Sequence, residues 1–127
     1  MKNYNKKILI VDEAGFCRIC SAILENEGYG ISSIHDIRQS DAALDCKNIG
    51  LVITSYPFGA HLLDKLKDNK IPTIVLSDQI SNDLMMTLEN FDKNLSYCMI
   101  KPLDYSKFRT LVNQTMNRYS FSQNAEL

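Results

Sequence analysis

Six residues of this chain carry groups able to handle a phosphoryl group or a divalent cation, and each falls just after an apolar run: Asp12 and Glu13, Ser55, Ser77 and Asp78, and Lys101. Carboxylates such as those of Asp12 and Glu13 supply the hard oxygens that hold Mg²⁺. A hydroxyl such as that of Ser77 donates a hydrogen bond to a phosphoryl oxygen, and the Lys101 ammonium is a point charge for the same group. Pro102 lacks an N–H and biases Lys101 away from helix, so the lysine is expected at a strand end with its ammonium leaving the sheet edge.

The elements that must position these groups are legible as periodicity. Lys7 to Val11 is an aliphatic run without alternation, as expected of a strand covered on both faces. Phe16, Ile19, Cys20, Ile23 and Leu24 then form a helical stripe that stops at Gly28. Gly30 to His35 is expected as a strand and Ser40 to Cys46 as a short helix capped by Ser40. Ile49 to Thr54 is a second buried-type strand, closed by the loop Ser55-Tyr56-Pro57-Phe58-Gly59, and Leu62, Leu63 and Leu66 stripe a third helix. Thr73 to Leu76 is the fourth strand, and Ser81 or Asn82 can cap a helix over Leu84, Met85 and Leu88. Ser96 to Ile100 is the fifth strand. Asp104 can cap a last helix whose Phe108, Leu111, Val112, Met116 and Tyr119 share one face.

Strands alternating with helices demand a parallel sheet with right-handed crossovers and helices on both faces, and such sheets gather functional groups at the carboxyl ends of their strands. The expected organisation is an N-terminal extension (1–6), a single α/β domain (7–119) and a polar tail (120–127) with too little apolar content to pack, which is expected to fray. One domain suits 127 residues that are 45% hydrophobic. A net charge of −1 provides no field that would draw nucleic acid or an anionic membrane. The longest apolar stretches fall far short of the roughly 20 residues of a membrane span, and no secretory signal pattern opens the chain, so the expected location is cytoplasmic. Cys17, Cys20, Cys46 and Cys98 are expected as reduced, buried or half-buried thiols, and His35 and His61 as solvent-facing side chains.

Ile8-Leu9-Ile10-Val11-Asp12-Glu13, Ser77 and Lys101-Pro102, in this order and spacing, resemble the signature of bacterial response-regulator receiver domains over nearly all of residues 6 to 119. The resemblance implies a flavodoxin-like (βα)₅ fold, a doubly wound three-layer sandwich with strand order 2-1-3-4-5. It also implies two-component phosphorelay chemistry, in which an aspartate at the end of strand three accepts a phosphoryl group from a histidine kinase. Ser55 stands at that place. A hydroxyl of high pKa is not a carboxylate nucleophile, and its presence also removes a negatively charged Mg²⁺ ligand. Further departures are a loop after Ser55 about two residues shorter than the family pattern, an anion at Asp78 beside any incoming phosphate, and Glu13 falling toward the loop. The switch aromatic three residues before the lysine is Cys98 here, with Tyr97 directed to the opposite sheet face.

The expected function is therefore that of a degenerate receiver: a phosphorylation-independent protein-interaction module and not an enzyme. Its partners would be a signalling protein or a second receiver, with no nucleic acid and no membrane. The resemblance places the interaction face on the fourth helix, fifth strand and last helix, including Met85, Met86 and Tyr97. The alternative is a switch responsive to Mg²⁺ or a small anion at Asp12, Glu13 and Lys101; Mg²⁺ on Asp12 and Glu13 is the one cofactor considered. Plainer roles stand beside both: Asp12 and Glu13 accepting N–H bonds at the helix start, Lys101 pairing with Asp12 as a structural ion pair, and Ser55 as a polar strand-end residue. A thiol or metal sensor on Cys17 and Cys20 would need Cys46 or Cys98 close by.

Overall fold

The run Lys7–Val11 forms strand β1, and its side chains alternate between two cores. Ile8 and Ile10 enter one hydrophobic cluster and Leu9 and Val11 the other. This is why the run shows no polar alternation: both faces of the strand are covered. The computed structural model describes residues 6–39, 48–79, 81–89, 96–100 and 104–125. The helix expected over Ser40–Cys46 and the Lys101-Pro102 pair lie outside the described residues.

After β1 come α1 (Ala14–Leu24), β2 (Gly30–Ile34), β3 (Ile49–Ser55), α2 (Leu63–Asp68), β4 (Thr73–Ser77), α3 (Asn82–Glu89), β5 (Ser96–Ile100) and α4 (Tyr105–Ala125). All strand pairs are parallel, in the order β2-β1-β3-β4-β5. Crossing from β2 to the far side of β1 puts helices on both faces. The first cluster joins Cys17, Cys20 and Leu24 of α1 and Phe108, Val112 and Met116 of α4 to Ile8, Ile10, Leu51, Ile53, Ile74 and Leu76 of the sheet. Leu63 and Leu66 of α2, Leu62 just before it, and Leu84 of α3 close the opposite face over Leu9, Val11, Val52 and Val75. The expected flavodoxin-like three-layer architecture and strand order are therefore those observed.

Local chemistry accounts for the boundaries. A 3₁₀ turn, Glu25–Glu27, ends at Gly28, whose φ of 84° is a left-handed conformation that glycine adopts without steric cost. Ser81 Oγ accepts the Leu84 N–H at 3.1 Å and Asp104 Oδ1 accepts the Lys107 N–H at 3.0 Å, so both expected caps form. Two expectations differ from the structure. Ile19 is 42% exposed, whereas Cys17 is buried, so the inward stripe of α1 is rotated toward the thiol. The last helix does not stop near Tyr119 but continues to Ala125, in keeping with a segment after Asp104 that contains neither proline nor glycine. On α3, Leu84 is the buried anchor and Met85 lies outside the core at 45% exposure, as suits its place on the expected interaction face.

Candidate functional site

The register that pairs Val11 with Thr54 sets Asp12 beside Ser55 at the carboxyl edge of the sheet. Both are buried, at 1% and 5% exposure. Ser55 Oγ donates a hydrogen bond to Asp12 Oδ1 at 2.8 Å, and the same oxygen accepts the Glu13 N–H at 2.8 Å. Asp12 Oδ2, also buried, has no hydrogen-bond partner among the described residues. A carboxylate oxygen removed from water without a donor is costly, so among the described residues this atom is an unmet demand of the site.

Among the described residues, the other sequence candidates, Glu13, Ser77 and Asp78, stand around this pair and do not bond to it through their side chains. Glu13 is exposed at the N-terminal boundary of α1 and its carboxylate makes no capping bond. The plainer helix-start role thus falls to Asp12, whose Oδ1 receives the Glu13 N–H. Ser77 is buried but turns to the loop: its Oγ donates to Gln79 O at 2.6 Å and accepts the Gln79 N–H at 3.4 Å. Asp78 is exposed, and Lys101 lies outside the described residues.

Three contacts that the sequence does not announce hold the pair in place. Cys17 Sγ lies 3.2 Å from Asp12 O, tying the first turn of α1 to the backbone of the site. Thr54 Oγ1 donates to Val11 O at 2.7 Å, bridging β1 and β3 one residue before Asp12 and Ser55. The turn after β3, with a cis Tyr56-Pro57 bond, folds back so that the Gly59 N–H donates to Ser55 O at 2.7 Å. The only sequence signal for any of these was the glycine in the loop.

The described thiols are poor candidates for reactive or metal chemistry. Cys17 and Cys20 are buried, and Cys98 is half-buried. Burial pushes the Cys17 thiol up, with the Asp12 charge adding to it, and burial pushes Cys98 up as well. Among the described residues no three His, Cys, Asp or Glu side chains group around a possible metal; Cys46 lies outside them. Alkylation of the native protein near neutral pH, followed by peptide mapping, is expected to leave Cys17 and Cys20 at least ~10-fold less modified than in denaturant, since only the exposed thiolate reacts. Rapid native alkylation of Cys17 would contradict this packing.

On the expected interaction face, Met85 and Met86 are 45% and 65% exposed on α3. Tyr97 is half-buried and packs on the α1/α4 cluster, whereas Cys98 packs on the α2/α3 cluster, so the two occupy opposite sheet faces as read from the sequence. Ile100 and Tyr105, exposed at 49% and 55%, add apolar surface at the β5–α4 end that the sequence reading did not single out. His35 and His61 are exposed.

A five-stranded parallel sheet in this order, flanked by helices, is a flavodoxin-like fold of the kind that CheY-like receiver domains have, and here it carries Asp12 and Ser55 at its carboxyl edge. The chain is similar to a CheY-like receiver domain from Methanospirillum hungatei JF-1 (TM-score 0.77, 19% identity, 92% of this chain and 98% of that one). It is likewise similar to a two-component response regulator from Clostridium difficile (TM-score 0.76, 19% identity, 90% and 98%). A third similar structure is the response regulator TrrA from Thermotoga maritima, solved in complex with Mg²⁺ and BeF (TM-score 0.71, 18% identity, 87% and 98%). No family model matches the chain, and no curated protein matches its sequence. At these identities the likeness is one of fold. No described helix is long and apolar enough to cross a membrane.

Proposed function

We propose that this protein is a receiver-type module of two-component signalling that acts by binding a protein partner without aspartyl phosphorylation, and that it is not an enzyme. The observation that carries the reading is Ser55. It stands at the end of β3, where the receiver pattern has its acceptor aspartate, and its hydroxyl is committed to Asp12 Oδ1 at 2.8 Å. A buried serine whose proton already bonds a carboxylate is neither ionised nor a charged metal ligand. The exposed Met85, Met86, Ile100 and Tyr105 supply the apolar surface on which such a partner would dock.

A second reading, a switch responsive to Mg²⁺ or a small anion, is favoured by the buried Asp12 Oδ2, which has no hydrogen-bond partner among the described residues. Mg²⁺ is commonly held by one or two carboxylates with water completing its shell, and Asp12 with the neighbouring Glu13 could supply that minimum. The cation would provide charge neutralisation at the strand edge. Incubation with Mg²⁺ and a small acyl phosphate, followed by intact-mass measurement, distinguishes the readings. An unmodified mass is expected, and a stable adduct of one phosphoryl group would overturn the phosphorylation-independent reading. If the NMR shifts of Asp12 and its neighbours stay put on adding Mg²⁺ and a phosphate mimic, the switch reading falls.

Ser55→Asp returns a carboxylate to the strand end beside Asp12. It is expected to tighten Mg²⁺ binding by about tenfold or more, where each tenfold corresponds to ~1.4 kcal/mol. An unchanged titration would assign the weakness of the site to the short loop and Asp78 instead of the missing acceptor.

A further inference from the structure

Strand β2 lies at one edge of the sheet. The Asp12 N–H donates to Ile34 O at 3.2 Å, so Ile34 turns its backbone groups toward β1. By the alternation of a strand, Gly30 and Ser32 do the same, whereas Ile31 and Ser33 turn their N–H and C=O groups outward. Among the described residues no strand pairs with that edge. The strand Gly-Ile-Ser-Ser-Ile contains no charge and no proline, the usual devices that keep an edge from pairing.

The same edge borders a groove of about 710 Å³ between β2 and α1. Tyr29, Ile31, Ser33 and His35 line its floor and Arg18 and Glu25 its α1 wall. The helix runs against the strand direction: Ser21 Oγ lies 3.3 Å from Ser33 Oγ, and Cys17 Sγ 3.8 Å from Ile34 O. Arg18 therefore stands toward the His35 end and Glu25, two turns later, toward the Tyr29 end. Arg18, His35 and Glu25 are exposed.

We propose that this edge pairs with the same edge of a second copy of the chain, antiparallel about a two-fold axis at Ser32, giving one continuous sheet across the dimer. Pairing Ile31 with the partner's Ser33, and Ser33 with the partner's Ile31, satisfies the outward groups by two exchanged pairs of hydrogen bonds. The same register sets His35 opposite the partner's Tyr29 on the groove side. The two-fold then brings the cationic end of each groove, Arg18 and His35, to the partner's Glu25. The self-complementary charge order favours a second copy over an unrelated extended segment, because an isologous contact requires each patch to complement itself. This inference is independent of whether the protein is a signalling module, and it uses a surface separate from Met85 and Met86.

Sedimentation of the full chain from low micromolar to millimolar concentration tests it. A reversible monomer–dimer equilibrium that weakens with added salt is expected. Ser33→Pro removes an outward N–H at an edge position that tolerates proline, and should abolish the dimer while circular dichroism shows the monomer fold retained. Arg18→Glu should weaken the dimer at least ~10-fold by setting like charges across the axis, and combining it with Glu25→Arg should restore association. Should Ser33→Pro fail to fold, the charge pair decides. A protein that stays monomeric at millimolar concentration, a dimer unchanged by the charge variants, or one lost in Met86→Asp instead would overturn the proposal.

Discussion

Replacing Phe108 with alanine is expected to lower the thermal midpoint by roughly 10–20 °C, the consequence of losing about 3–5 kcal/mol at a fully enclosed aromatic. Phe108 is 0% exposed and joins α4 to Ile8, Ile10, Leu51, Ile53, Ile74 and Leu76, all in the same cluster. Its removal leaves a cavity bounded by strand side chains that are themselves fixed by the sheet register, so little can relax into the space. Tyr105, three residues earlier on the same helix, is 55% exposed. Tyr105→Ala should change stability by no more than about 0.5 kcal/mol, so any loss of partner binding it causes would report the surface and not the fold. Thermal unfolding of the two variants side by side checks the contrast. A small effect of Phe108→Ala would mean that α4 is not seated on the sheet as described.

How much of the fold is legible in the sequence depends on the kind of signal each element carries. The strands were legible because a doubly covered strand must be apolar throughout: Lys7–Val11 and Ser96–Ile100 are observed with the limits read from the sequence, and β3 and β4 each run one residue further, to Ser55 and Ser77. The adjacency of Asp12 and Ser55 follows from strand order, since a 2-1-3-4-5 sheet makes β1 and β3 neighbours. Side-chain direction was less legible. The stripe of α1 includes both Ile19 and Cys20, and which of the flanking positions turns inward is decided by the packing of α1 between the sheet and α4, not by the hydrophobicity of Ile19. Cys17 supplies a small buried group whose Sγ lies 3.2 Å from Asp12 O. The bond from Ser77 to Gln79, which turns that hydroxyl to the loop, depends on local turn geometry and has no periodicity to betray it. The same holds for the turn after β3, where Gly59 reads as a generic loop residue and its neighbour across the turn is not evident.

That turn carries the second large expectation: Gly59→Ala should destabilise the protein by about 2–5 kcal/mol, as the sum of overpacking and a lost buried hydrogen bond. The backbone is not the obstacle, since φ at Gly59 is −99°. The obstacle is space. A Cβ at this position would collide with Thr54 Oγ1 and fall 3.1 Å from Thr54 Cβ and 3.3 Å from Ser55 O. Thr54 is buried and its hydroxyl is bonded to Val11 O, so it cannot swing aside without giving up the bridge between β1 and β3. The loop must move instead, and with it the Gly59 N–H that donates to Ser55 O. Thr54→Ala in the Gly59→Ala background removes the closest contact but leaves the Cβ and carbonyl contacts, so it should recover part of the loss and not all of it. A double-mutant cycle by denaturant unfolding measures that coupling, expected to fall at about 0.5–3 kcal/mol for residues in contact. Because Ser55 Oγ and the Glu13 N–H share Asp12 Oδ1, displacement of the turn should also shift the Glu13 amide resonance. A stability loss that leaves the Glu13 amide in place would separate the turn from the site and limit Gly59 to a packing role.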